Sequence, residues 1–201
     1  MYISQVFKVE HDWWRYIIGV MGAIVGVGVF SMPHLIALMM KVFDGTADQA
    51  KFEDMNYLLS LFEPNLNLVF ILLPFVGGLI CLLLVVKFLH KQSFKMLTTS
   101  RDKIDWKRFW FAFLFWGIIS SGMILMDYFL SPEGYELNFN LGKFLVLCII
   151  AILLVPLQTS FEEYLFRGYL MQGIGALVKN KWVPLLFTSV VFGLLLSLIH
   201  I

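Results

Sequence analysis

Charged residues and cysteines are scarce in this sequence. Only 14% of the 201 residues are Asp, Glu, Lys or Arg, and the net charge at pH 7 is +1. This composition excludes an ordinary soluble enzyme, because a soluble chain of this length covers its core with far more polar surface. The balanced charge gives no indication of a nucleic-acid partner, and we expect none. Cys81 and Cys148 lie inside apolar runs, where we expect them to pack as small hydrophobic residues rather than form a disulfide or bind a metal.

Long apolar runs account for most of the chain. Hydrophobic residues make up 60% of it, 20 residues are Phe, and the mean hydropathy is +0.83. Several runs approach the roughly 20 apolar residues that cross a bilayer as a helix. They predict spans at about residues 17–40, 66–86, 109–128 and 141–157, then a shorter apolar helix and a sixth helix from near Trp182. The sequence therefore predicts an all-α, polytopic integral membrane bundle of about five to six helices.

The charges between the apolar runs predict an orientation, because cytoplasmic loops of membrane proteins are enriched in Lys and Arg. The link between the second and third spans holds Lys87, Lys91, Lys95, Arg101, Lys103, Lys107 and Arg108. The loops at 41–65 and around Glu133 and Glu136 are mainly acidic. We therefore expect the N-terminus and the basic link to be cytoplasmic, with the fourth span returning to that side.

One short segment concentrates charge at the mouth of an apolar run. Residues 161–170 read FEEYLFRGYL and contain Glu162, Glu163 and Arg167. Charged side chains at membrane depth are energetically costly, so they occur mainly where they form ion pairs or have a function. On a helix, Arg167 lies four residues from Glu163 on one face, whereas Glu162 points about 140° away from it, so Glu162 is left free for general base work. The alternative is a structural ion cluster near a helix start, where the helix dipole favours negative charge.

The run EEYLFR, followed by Gly168, Tyr169 and Leu170, resembles the EExxxR signature of a family of intramembrane proteases. This is the CAAX prenyl protease and bacteriocin-processing family, also described as CPBP, Abi-like or lysostaphin-resistance-like. The flanking PLQTSFEEYLFRGYLMQG and the downstream PLLFTSVVFGLL are similar to its bacterial members. The resemblance divides the chain into N-terminal transmembrane helices and loops at 1–140, a partial protease core at 141–195 and a tail at 196–201.

The resemblance implies a membrane hydrolase that cleaves a peptide bond with water near the cytoplasmic face of a bacterial inner membrane. The first glutamate of the family motif activates the water, which here is Glu162, and Glu163 and Arg167 are its structural partners. Phe192 opens the second family motif, FxxxH. The implied partners are membrane lipid and a peptide or lipidated-protein substrate. For members with the family histidines, two chemistries stay open: a bound divalent metal such as zinc, or direct action of the glutamate and histidines on water.

The chain departs from the family pattern where the second motif needs its histidine. That position is Leu196, and the later family histidine and asparagine are absent, so no metal ligand is assigned. One account is natural loss, which leaves a pseudoprotease or a bacteriocin-immunity binder. The other is read-through from a sequencing adapter, because the transposase-adapter bases CTG TCT CTT ATA CAC ATC would encode LSLIHI, the residues at 196–201. On that account the chain is a fragment without the C-terminal part of the family core, it is inactive, and His200 has no role.

Other polar and small residues in the spans are expected to be structural. Gly22 and Gly26 have the small-xxx-small spacing that allows a close helix contact, within the chain or in a homo-oligomer. His34 lies inside the first span and is expected to hydrogen-bond within the bundle. His90 lies beside charged residues at a span end and is expected to be solvated.

Overall fold

The computed structural model describes residues 3–101, 103–136, 138–178, 180 and 182–199. Every regular element in those ranges is helical, as the sequence predicts. The α-helices are α1 (Trp13–Phe43), α2 (Met55–Ser60), α3 (Pro64–Leu84), α4 (Phe94–Thr98), α5 (Trp106–Leu130), α6 (Leu141–Glu163), α7 (Met171–Val178) and α8 (Trp182–Ile199). Two π-helical segments, Val85–Leu89 and Tyr164–Leu170, directly follow α3 and α6. Short 3-10 turns lie at Ile3–Lys8, Gln49–Lys51 and Pro132–Gly134.

Four helical stretches of the described chain are long and apolar enough to cross a membrane. They are Trp13–Phe43, Pro64–Leu89, Trp106–Leu130 and Leu141–Val178, and the shorter Trp182–Leu194 is also apolar. Each of the four exceeds the roughly 20 residues that a crossing helix needs. The predicted polytopic helical membrane protein is therefore confirmed.

The predicted fourth span and the shorter apolar helix predicted after it, which carries the motif, form one continuous helical run. α6 ends at Glu163, the π-helical segment follows without a break, and α7 continues to Val178. No proline lies between Leu157 and Val178, so every residue there keeps the backbone donor that a continuing helix needs. Glu162 and Glu163 consequently lie at the end of α6 and not at a helix start. The interpretation that a helix dipole stabilises both carboxylates is therefore wrong.

The length of this run sets where the glutamates can lie in a membrane. Its 38 residues rise about 57 Å at 1.5 Å per residue, whereas the hydrocarbon core of a bilayer is about 30 Å thick. If Leu141 starts near one interface, about 20 residues of helix reach the other. Glu162 and Glu163 then lie near that second interface, and α7 continues beyond it.

Two glycines bring α1 and α3 into close contact. A Cβ on Gly26 would meet the Gly77 carbonyl group, and a Cβ on Gly77 would meet the Gly26 carbonyl oxygen. Glycine lets two helix backbones approach this closely. Gly28, two residues further along α1, faces open space. The small-residue spacing on α1 is thus used within the chain, by Gly26.

The continuous helical stretch Leu141–Val178, which we call the motif run, packs with its C-terminal part antiparallel to α1. Tyr169 lies against Gly19, and four residues later Gly173 lies against Tyr16, nearer the start of α1. α6 also packs on α3, while none of the residues of α5 is buried. The turn Ile3–Lys8 packs on α7, so the N-terminus, the basic link and the motif share one end of the bundle. The membrane face that this end meets stays a prediction.

Candidate functional site

The two adjacent glutamates are in different environments. Arg167 Nη1 lies 3.0 Å from Glu163 Oε1, so the ion pair expected from the four-residue spacing is present. Both side chains of this pair are exposed. Glu162 is half-buried and accepts a hydrogen bond from Gln158 Nε2, at 3.3 Å from Glu162 Oε1. Arg167 therefore neutralises one carboxylate of the motif, and the other has an amide as its partner.

Glu162 lies in the wall of a cavity of about 370 Å³. The other lining residues are apolar and come from α1, α3, the motif run and α8: Val20, Ala23, Ile24, Val27, Phe75, Phe161, Leu165, Phe166 and Phe192. A carboxylate at the edge of an apolar cavity can contact a ligand whose remaining surface is hydrophobic. The cavity wall therefore combines one acidic group with apolar side chains.

Phe192 packs directly on the motif. Its ring centre is 5.3 Å from that of Phe166, and the Arg167 guanidinium carbon lies 5.9 Å from the Phe192 ring centre. The latter is a cation–π contact at the outer limit of its range. The structure thus brings Glu162, Glu163, Arg167 and Phe192 into one site, although α8 is distant from the glutamates in sequence.

The described residues do not form a metal site. No group of three or more His, Cys, Asp or Glu side chains in the described ranges could hold an ion. Of the two motif carboxylates, Glu163 is already paired with Arg167, so a zinc ion would find one free carboxylate where it needs three or four ligands. His200 lies outside the described residues. Cys81 and Cys148 are free thiols, as expected.

His90 is fully buried, so the expectation that it is solvated is wrong. Its Nδ1 lies 2.7 Å from the Glu10 carbonyl oxygen, and its Nε2 lies 2.8 Å from the Tyr169 hydroxyl. The same hydroxyl is 3.0 Å from the Arg15 carbonyl oxygen. These partners come from distant parts of the chain. No local pattern around His90 predicts its burial. The position of its partner Tyr169 within the motif is the one sequence feature that could have indicated a buried contact there.

The charges around His90 act on its pKa in opposite directions. Burial is the largest influence and holds the pKa of His90 below its ordinary value of 6.5. The hydrogen bond to the Glu10 carbonyl favours the protonated form, and the Asp12 carboxylate does the same. The Arg15 guanidinium disfavours it. Burial outweighs the two favourable contacts, so the neutral imidazole is the main form at neutral pH.

A pair of buried glutamines lies next to His90. Gln92 Nε2 donates to Gln172 Oε1 at 3.0 Å, and Gln172 Nε2 donates to the Met96 carbonyl oxygen at 3.2 Å. Buried amides are favourable only when their polar atoms are paired, as these are. The pair fixes the chain after α3 to α7. Neither glutamine was predicted from the sequence.

His34 has an aromatic environment. Its ring stacks on Phe70, with ring centres 4.9 Å apart and an angle of 10° between the planes, and Phe62 meets it edge-on. Aromatic packing of this kind stabilises a core. His34 is far from the motif and contributes nothing to the cavity beside Glu162.

Comparisons with known proteins agree with the motif. Residues 141–199 match the family model described as Type II CAAX prenyl endopeptidase Rce1-like, which confirms the family predicted from EEYLFR. The chain is 38% identical over 112 residues to a Bacillus subtilis (strain 168) protein named Uncharacterized protein YyaK. That match covers 55% of this chain and 36% of the relative, so the chain spans about a third of the relative's length. No solved structure matches the chain.

Proposed function

We propose that this chain, whose residues 141–199 belong to the Type II CAAX prenyl endopeptidase Rce1-like family, is an intramembrane endopeptidase in which Glu162 activates water. One observation supports this most strongly. Arg167 neutralises Glu163, while Glu162 lies in the wall of an apolar cavity without a cationic partner among the described residues. A carboxylate in this position can take a proton from a water molecule, which is the task of a general base.

The proposed reaction is hydrolysis of a peptide bond. Glu162 takes a proton from water, and the water oxygen bonds to the carbonyl carbon of the peptide, whose oxygen becomes an oxyanion. When the C–N bond breaks, Glu162 returns the proton to the leaving amine, so that an acid and an amine are released and the carboxylate is restored. Gln158 orients Glu162 through its amide hydrogen bond. Glu163 and Arg167 hold the helix that carries it.

The cavity supports a substrate with an apolar group next to the bond that is cut. Its walls are hydrophobic and it holds about 370 Å³, room for an apolar side chain or part of a lipid group. A peptide or lipidated protein at the membrane would carry such a group. The basic link suggests that the site opens on the cytoplasmic side of a bacterial inner membrane.

A non-catalytic binding role is the second candidate, and one residue favours it. Leu196 stands where the family motif has a histidine. Catalytic groups act as a unit, so under this second proposal the chain with Leu196 lacks hydrolytic activity. A bacteriocin-immunity protein or a regulatory pseudoprotease would use the same cavity to bind a peptide without cutting it.

The reading frame beyond codon 195 in source DNA decides between these candidates. A histidine at codon 196, followed by a later helix with histidine and asparagine, supports the peptidase. Genomic codons for LSLIHI support the binder.

A matched pair of substitutions then tests the mechanism in the full reading frame. Glu162→Gln and Glu163→Gln each replace one carboxylate by an amide on neighbouring residues. With an internally quenched peptide that carries an S-farnesyl cysteine, Glu162→Gln should slow cleavage by about 10²- to 10⁴-fold, the contribution of a general base. Glu163→Gln should cost much less. Equal losses in the two variants would refute the assignment of roles.

A further inference from the structure

One stretch of chain holds both ends of the π-helical segment that follows the glutamates. Residues 90–98, which we call the clamp segment, contact the motif run through alternate residues. Thr98 Oγ1 lies 3.2 Å from the Tyr164 hydroxyl, and Phe94 meets the Tyr164 ring edge-on at 5.1 Å. At the other end, His90 Nε2 lies 2.8 Å from the Tyr169 hydroxyl. The clamp segment thus binds the first turn and the last turn of Tyr164–Leu170.

The π-helical geometry decides which way Glu162 faces. A π-helical hydrogen bond spans one more residue than an α-helical one. Successive residues of Tyr164–Leu170 therefore turn through a smaller angle about the helix axis than they would in an α-helix. If it relaxed to an α-helix while Tyr169 stayed against Gly19, Glu162 would turn about the helix axis by about 100°, one residue's rotation. Glu162 would then leave the cavity wall. π-Helical turns are rare and occur mostly as single turns inside α-helices, frequently at functional sites.

The protonation state of His90 determines whether the Tyr169 hydroxyl donates or accepts in their hydrogen bond. The Glu10 carbonyl can only accept, so His90 Nδ1 must carry a proton. In the neutral imidazole, Nε2 is then an acceptor, and the Tyr169 hydroxyl donates to it. In the protonated imidazole both nitrogens donate, and the hydroxyl is released to donate to the Arg15 carbonyl oxygen, 3.0 Å away. The Tyr169 hydroxyl therefore keeps its hydrogen bond to His90 of the clamp segment in both states, as the donor to the neutral imidazole and as the acceptor from the protonated one.

Charged and titratable groups surround His90 from each packed element. Glu10, Asp12 and Arg15 come from the N-terminal side, with Arg15 paired to both carboxylates and bonded to the Leu89 carbonyl oxygen. Tyr16 of α1 and Tyr169 of the motif run pack on the ring. Lys91, the next residue, pairs with Glu10 at 3.4 Å. These groups place residues of the N-terminal region, the end of α3 and the motif run around the buried imidazole of His90.

We propose that His90 and Tyr169 are positioning residues for Glu162: their hydrogen bond holds the π-helical segment in the geometry that directs Glu162 into the cavity. The proposal rests on the proposed function only in taking Glu162 as the reactive group. It also assigns a role to the clamp segment, which lies outside the part of the chain that matches the family.

The test is a labelling experiment on the full chain in lipid nanodiscs, and it needs no turnover. Dicyclohexylcarbodiimide, an apolar reagent for carboxyl groups in hydrophobic surroundings, should modify Glu162 in preference to the exposed Glu163. Peptide fragmentation resolves the two residues. Tyr169→Phe removes one hydroxyl and keeps the ring, and it should lower the Glu162:Glu163 labelling ratio by about twofold to tenfold, the effect of one hydrogen bond on a two-state equilibrium. His90→Gln should act in the same direction.

Tyr135→Phe is the matched control, because Tyr135 also donates its hydroxyl to a hydrogen bond, with Asp127 Oδ2 at 2.6 Å, but lies outside the site. Its labelling ratio should equal that of the original protein. A lower thermal stability of Tyr169→Phe with an unchanged ratio would mean that the pair only holds the fold, and would overturn the proposal.

Nuclear magnetic resonance of ¹⁵N-labelled histidine covers the case in which Tyr169→Phe does not fold. In the unmodified chain above pH 6.5, His90 should have a protonated Nδ1 and a hydrogen-bonded Nε2, assigned by the loss of the signals in His90→Gln. A solvated imidazole in this spectrum would also overturn the proposal. The endopeptidase assay is independent: failure of Glu162→Gln to slow cleavage would refute the proposed function and leave the labelling result unaffected.

Discussion

The Tyr169 hydroxyl lies 2.8 Å from Nε2 of His90, although 79 positions separate the two residues in the chain. Tyr169 belongs to the motif that carries the glutamates, and His90 follows the second span. Their hydrogen bond joins the basic link to the motif run inside the protein. The end of the bundle that holds the acidic motif is therefore built from three separated parts of the sequence.

Stability should depend on pH through His90. Burial lowers its folded pKa below the unfolded value of 6.5, so the fold favours the neutral imidazole. The stabilisation from this preference is fully present above pH 6.5 and is lost as the pH falls through the folded pKa. We expect the thermal unfolding midpoint in detergent to decrease as the pH is lowered from 7.5 to 5.5. His90→Gln should flatten that part of the profile, and an equally steep profile in this variant would contradict the prediction.

The α1–α3 contact should tolerate no side chain at Gly26. A methyl group there meets the Gly77 backbone, which cannot move aside as a flexible side chain would, so Gly26→Ala should lower the free energy of unfolding by about 1–3 kcal/mol. Gly28→Ala is the matched control on the same helix, where the new methyl group meets open space. It should leave stability unchanged or raise it by up to about 1 kcal/mol. Denaturant titration of both variants in mixed micelles measures the difference, and similar losses would contradict this packing.

The ion pair between Arg167 and Glu163 should matter more for activity than for stability. Both side chains are largely exposed, at 62% and 49%, so the pair is expected to contribute less than about 1 kcal/mol to stability. Arg167→Gln leaves Glu163 uncompensated beside Glu162 and removes the contact with Phe192. Arg101→Gln is the control, because Arg101 makes an ion pair with Asp105 at the same spacing. Only Arg167→Gln should reduce peptide cleavage by the full-length protein.

Filling the cavity should block the ligand without unfolding the protein. Ala23 is 2% exposed and lies in the cavity wall, so Ala23→Leu places a larger side chain in that wall. Binding or cleavage of the farnesylated peptide should fall by about 10- to 200-fold, the range for a misfit in a hydrophobic pocket. Ala112→Leu makes the same change on the exposed surface of α5 and should have no effect. Unaltered binding in Ala23→Leu would mean that the ligand lies elsewhere.

Much of the fold, and the pairing of Glu163 with Arg167, could be predicted from local spacing. The lengths of the apolar runs predict the four spans, because the bilayer thickness sets the number of residues a helix needs. The four-residue spacing predicts the contact of Glu163 with Arg167, since those positions share a helix face. The role of Glu162 as a general base stays a proposal.

Other features depend on residues that are distant in the sequence. Nothing near His90 indicates that a carbonyl group 80 positions away and a tyrosine 79 positions away will satisfy its two nitrogens. The prediction of a separate motif helix was wrong, because α6, the π-helical segment and α7 follow one another without a break over Leu141–Val178.

The sequence by itself determined that this chain is a membrane protein whose motif has one carboxylate in an ion pair with arginine and one outside that pair. Both properties follow from interactions between residues within a few positions of each other, or between the chain and the bilayer. The tertiary structure decided that Glu162 lies in a cavity, that Phe192 packs on the motif and that His90 is buried. Each of these needs helices from different parts of the chain to pack together, and the free energy of that packing depends on shape and on distant hydrogen-bond partners that no local pattern contains.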